Sequence, residues 1–191
     1  MIDSAIGLIA AQLNQALRRA FQVGEDLVVV SNLVEQDGGV APTVANKLAV
    51  FLVNLERETL PYPNGSRPSL PSERMALNHP PVYLNLLVMF AANFGGNNYP
   101  EALKFISSTV AFFQGRPVID HQNTPELDRR IDKLVLDIEN LSLSDLSNLW
   151  GMLSGKYLPS VLYRVRMVTV DSGQLAGQAP LIGRARTGVH A

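Results

Sequence analysis

Apolar residues recur at helical spacing from the first positions of the chain. Ile2, Ile6, Ile9, Leu13, Leu17 and Phe21 form one stripe, with Gln12, Gln15, Arg18 and Arg19 between them, which predicts an amphipathic helix over 2–21 capped at Asp3 or Ser4. The period then changes. Leu27–Val34 is rich in β-branched residues and reads as a strand, followed by the turn formers Asp37, Gly38, Gly39 and Pro42. Lys47–Glu58 reads as a longer strand. Its first half, Leu48–Val53, is apolar on both faces, as expected of a covered central strand, and its second half turns polar.

Residues 59–81 break the pattern. Prolines at 61, 63, 68, 71, 80 and 81, with Asn64, Gly65 and several serines, leave no apolar period, and the stretch is expected as a long loop. It is either a surface excursion or an arm that orders against a neighbouring subunit. Val82–Asn93 then alternates as a strand, and a helix is expected from Pro100 to Gln114, ended by Gly115 and Pro117. Residues 118–130 read as irregular, with a turn at Thr124-Pro125-Glu126. Lys133–Leu141 reads as a half-buried strand with Asp137 and Glu139 on its outer face.

Ser142 or Ser144 caps the next helix, whose inner face carries Leu146, Leu149, Trp150 and Leu153 and which Gly155 ends. Ser160–Val170 alternates as the last strand, with Leu162, Arg164 and Arg166 on one face. If it lies beside Lys133–Leu141, its arginines face Asp137 and Glu139 across the ladder. Residues 171–191 have no period and read as a flexible tail. The sum is one α/β (α+β) domain over 1–170: a mixed, mostly antiparallel twisted sheet flanked by helices.

Composition narrows what such a domain does. Of 191 residues, 47% are hydrophobic and only 17% charged, so core material is ample and the surface is short of charge, a hint that partners cover part of it. The net charge of −1 argues against a nucleic acid held by bulk electrostatics. Without cysteine there is no disulfide, thiol nucleophile or Cys-based metal site. The first residues lack the early positive charge of a signal peptide, and apolar runs such as LAVFLV fall far short of the ~20 residues that span a bilayer. Synthesis and folding in the cytoplasm are expected, with no membrane as ligand.

Candidate chemistry is sparse. His79, His121 and His190 stand apart in loops and tail, and no nucleophile elbow, phosphate loop or dinucleotide fingerprint occurs. Gly38-Gly39 and Gly95-Gly96 suit turns. Asp137 and Glu139 read as a solvated strand face, and Arg164 and Arg166 as cross-strand partners, assembly contacts or anion ligands. No cofactor or metal is expected, and the chain is read as non-enzymatic.

Seven segments taken together are more specific than any single motif: MIDSAIGLIAAQLN, VVVSNLVEQDG, LAVFLVNLERE, PPVYLNLLVMFAANF, YPEALKFISSTVAFFQGRPV, QNTPELD and NLSLSDLSNLWGMLSGKYLPSVLYRVRMV. In this order, over residues 1–170, they resemble the N-terminal domain of tail-cap (terminator) proteins of extracellular contractile injection systems of the antifeeding-prophage and virulence-cassette type. The resemblance implies a phage tail-terminator-like fold and a homohexameric ring on the distal end of the inner tube. There it stops tube polymerisation and anchors the last sheath layer, with partners in its own copies, the inner tube protein and the sheath protein. The protein would then be a component of the injection particle, extracellular or intracellular. On this reading Arg164, Arg166, Tyr157, Arg57 and Glu58 become candidate assembly-interface residues. Two alternatives remain: a tail terminator or completion protein of a contractile phage, and a small-molecule-binding domain or enzyme using 59–81 as a lid.

Overall fold

The computed structural model describes residues 1–35, 38–58, 74–78, 83–153, 156–169 and 175–180. α1 spans Ile2–Phe21 and buries Ala5, Ile6, Ile9, Ala10, Leu13 and Leu17. It starts earlier than the expected cap. Met1 occupies the cap position and Asp3 lies in the first turn, because burying Ala5 and Ile6 requires the preceding residues to be helical already. Gln22 closes the helix in the left-handed region (φ 55°), its N–H donating to the Arg18 carbonyl.

Six strands form the main sheet: β1 (Val28–Val30), β2 (Lys47–Arg57), β4 (Tyr83–Asn93), β5 (Val118–Asp120), β6 (Ile131–Ile138) and β7 (Ser160–Thr169), in the order β1-β2-β4-β7-β6-β5. Only β1 and β2 run parallel; all other neighbours are antiparallel. The mixed, mostly antiparallel sheet expected from the sequence is present. β1 is shorter than the expected 27–34, because after the bond from the Ser31 N–H to the Val50 carbonyl (3.2 Å) the chain leaves β2 and closes a separate Val34–Val40 bridge. A short 3-10 turn at Pro42–Val44 returns it to β2. Asn14 holds β1 to α1: its Oδ1 accepts from the N–H groups of Leu27 (2.8 Å) and Val28 (3.1 Å).

α2 (Tyr99–Gly115) packs with α1 on one face of the sheet. Phe90, Phe113 and Tyr163 meet there with ring centroids 5.2–5.5 Å apart. α3 (Leu143–Met152) covers the other face, capped by Ser142, whose Oγ accepts from the Asp145 N–H at 3.1 Å. Leu149 and Trp150 of α3 join Leu33, Val44, Ala49, Phe51, Met89, Ala91 and Leu162 in a second core. The helix ends at Met152, and the expected stop at Gly155 lies outside the described residues.

Three strands occupy stretches expected to be irregular. β5 lies within 118–130, a three-residue edge strand whose Val118 is exposed. β3 (Arg74–Asn78), inside the Pro-rich 59–81 segment, pairs antiparallel with β8 (Leu175–Pro180), inside the stretch expected as a flexible tail. They form a two-stranded sheet of their own. Neither is periodic enough alone to announce a strand; long-range pairing supplies what local pattern lacks. The remainder of both segments lies outside the described residues.

Candidate assembly face

A bulge in β2 decides what the α3-side face of the sheet displays. The register shifts between Leu52 and Asn54, which pair with Val88 and Leu87, so Val53 is the extra residue and the alternation reverses across it. Before the bulge Leu48 and Val50 face α1 and α2. After it Asn54 and Glu56 lie opposite Leu87 and Asn85, on the α3 side. The bulge therefore delivers Glu56 to the face that carries the β7 arginines, and sends Arg57 to the opposite one.

Beyond α3 that face is a lattice of alternating charge. β6 and β7 pair with Asp137 opposite Arg164, and the side chains reach diagonally. Arg164 Nε donates to Glu139 Oε2 at 2.7 Å, and Arg166 Nη2 donates to Asp137 Oδ2. Arg164 Nη1 also lies 3.7 Å from Glu56 Oε2. The arginines face Asp137 and Glu139 as the sequence pattern predicts. The hydrogen bond to Glu139 raises the Arg164 guanidinium pKa above its ordinary value, burial opposes this, and the charges of Glu139, Glu56 and Glu58 add to it. One strand over, Asn85 is buried and its Nδ2 donates to Glu58 Oε2 at 3.0 Å.

The α3 half of the face is apolar. Trp150 is 4% exposed and its ring meets Tyr157 edge to face, 5.6 Å apart at 70°. Leu143, Leu146, Ser147, Gly151 and Tyr157 line a shallow groove with it. Leu143 is 86% exposed, Met152 79% and Tyr157 58%, so this helix shows solvent an apolar surface as well as the sheet. Trp150 also lines a partly open pocket of about 130 Å³ with Leu33, Val34, Val40, Asn93, Lys156 and Leu158. The indole Nε1 is buried without a hydrogen-bond partner among the described residues.

Of the five residues singled out from the sequence, Arg164, Arg166 and Glu58 share the charged half. Tyr157 belongs to the apolar half, and Arg57 points to the other side of the sheet. Glu56, Leu143 and Met152 were not singled out. Polar residues at 54, 56 and 58 carried a signal for Glu56, and only the bulge ties it to Arg164. Among the described residues no group of His, Asp or Glu has the grouping of a metal site. His121 lies 2.8 Å from the Ile131 carbonyl through Nε2; His79 and His190 are outside the described residues. No helix among them is long and apolar enough to cross a membrane.

A mixed six-stranded sheet with two helices on one face and one on the other places the chain in a known class, the fold of tube and sheath terminators. The sheath/tube terminator of the PVC extracellular contractile injection system, in its extended state, superposes with a TM-score of 0.61 at 15% identity, over 96% of this chain and 63% of that one. The tube-terminating cap of the anti-feeding prophage superposes with a TM-score of 0.50 at 14% identity, over 92% of this chain and 60% of that one. The chain thus spans about three fifths of each. No curated protein matches its sequence. The chain belongs to the Pvc16 N-terminal domain family, which matches residues 7–184. That span takes in both β3 and β8, and agrees with the resemblance carried by the seven sequence segments.

Proposed function

We propose that this protein is a structural, non-enzymatic cap: a homohexameric ring on the distal end of the inner tube of a contractile injection particle. It ends tube growth and anchors the last layer of sheath. The observation that carries this reading is family membership across residues 7–184, joined to a fold shared with a sheath/tube terminator over 96% of the chain. Its partners are its own copies, the tube protein and the sheath protein, with neither nucleic acid nor membrane as ligand, and it would end as a component of the particle.

The face described above suits such work. A ring needs two different complementary surfaces on each subunit. An apolar groove beside a charge lattice offers a desolvated centre with a polar rim, the usual anatomy of an interface. Arg164 and Arg166 then have two duties, holding β6 to β7 and presenting their exposed edges to a partner. Tyr157 contributes an aromatic anchor, and Arg57 and Glu58 mark where β2 leaves the sheet.

Purified protein mixed with sheared inner tubes provides the test. Electron microscopy should show sixfold rings seated on one end of the tubes, whether or not the free chain forms rings in solution. Protein distributed along tube walls, or absent from the ends, would overturn the assignment.

A further inference from the structure

Among the described residues, and besides the outer edges of β1 and β5, two open backbone edges bear on assembly. β1 accompanies β2 only where Val28–Val30 pairs with Leu48–Val50. Beyond it β2 runs on to Arg57 with no strand on that side among the described residues. The Glu58 N–H donates to the Tyr83 carbonyl at 2.9 Å, so alternation aims the N–H and C=O of Leu55 and Arg57 away from β4. The side chains of Leu52 and Leu55 are exposed there. Soluble proteins blunt such edges with charges, proline or bulges; Phe51–Arg57 has no lysine or proline, and its Val53 bulge, Glu56 and Arg57 still leave Leu52 and Leu55 exposed.

The second open edge is the β3–β8 ladder. It forms a sheet of two strands and bonds to no third strand among the described residues. A two-stranded ladder is marginal in water and gains stability from a third strand or a packing surface. Its two edges are unequal. β8 ends in Pro180, which has no N–H to give, whereas all five residues of β3 carry one.

Resting on the ring reading above, we propose that β3 of one copy pairs along the Phe51–Arg57 edge of β2 in the next copy, fusing the small ladder to the large sheet across the subunit boundary. Five residues of β3 lie along an edge of seven that bends at the Val53 bulge. The contact joins two different surfaces of the same chain, so it is heterologous. It therefore propagates head to tail, and closes when the rotation per subunit divides a full turn, as a ring requires. It also pairs backbone that both elements leave without a strand partner among the described residues, and covers Leu52 and Leu55.

The chain contains no cysteine, so introduced thiols report one position each. Leu55→Cys and Ala76→Cys copies carrying tags of different mass are co-expressed with tube protein and treated with a short bis-maleimide. A product joining the two tagged forms is expected, and none joining two Leu55→Cys copies. Leu55→Pro removes an outward N–H and leaves the β2–β4 bonds intact; it should keep the melting temperature within about 4 °C of the parent and lose the ring. Normal rings without the mixed product would overturn strand exchange while leaving the cap reading in place. Tube ends without rings would overturn both. A product formed only within single Leu55→Cys/Ala76→Cys chains would place β3 on its own β2, and would also overturn the exchange.

Discussion

Tyr163 is 2% exposed, its ring edge-on to Phe90 and Phe113 at 5.5 and 5.2 Å. Burial pushes its phenol up to about 12 from the ordinary 10.0. Between those values an unfolded chain releases the phenolic proton while the folded chain keeps it. The contribution is therefore whole below pH 10 and is lost as pH rises toward 12. At pH ~11 the loss amounts to about 1 kcal/mol. Denaturant unfolding of the parent and of Tyr163→Phe should show that loss in the parent only, with lysine and arginine titrations common to both. Equal pH dependence of the two would mean that the phenol reaches water. The charged residues behave differently. Arg164 and Arg166 keep enough exposure that their pairs fix geometry more than they stabilise the fold.

Among the elements, those readable in the sequence are the long ones that bury a whole face. α1 and α3 follow their apolar stripes, and β4 and β7 their alternation, because burial at every second or every third to fourth residue leaves little freedom of register. The pairing of β6 with β7 was legible for the same reason: two alternating strands carry complementary charge on one face. What was not legible depends on partners distant in sequence. β5, β3 and β8 are short and have little pattern of their own, and β1 stops where β2 outgrows it. The β2 bulge is silent in an apolar run such as LAVFLV, yet it decides that Glu56 and not Arg57 joins Arg164. In the candidate face, the arginine–carboxylate pairs could be read ahead, and the exposed Leu143 and Met152 could not. Leu143 sits three residues before Leu146, in phase with the buried stripe, yet lies beyond the reach of the sheet.

α3 offers a test at this scale. Its hold on the sheet runs through Trp150, so Trp150→Ala should cost about 3–5 kcal/mol in equilibrium unfolding. A loss below ~1 kcal/mol, with assembly abolished, would move the indole from the core to the interface.

At the scale of the molecule, several features leave surface or backbone uncovered among the described residues. The β2 edge and the β3–β8 ladder, each without a further strand among the described residues, the apolar groove on α3 and the low charge of the chain are what the proposed ring subunit would need. The charge lattice fits too, since paired charges at a rim add specificity at little cost in desolvation. The central claim is that this protein stops tube growth. The length distribution of inner tubes in cells lacking it, measured by electron microscopy beside complemented cells, tests that claim most directly. The account predicts over-long tubes, or tubes that have shed their sheath, and recovery of uniform sheathed particles on complementation. Tubes of normal length with sheath retained in its absence would contradict it.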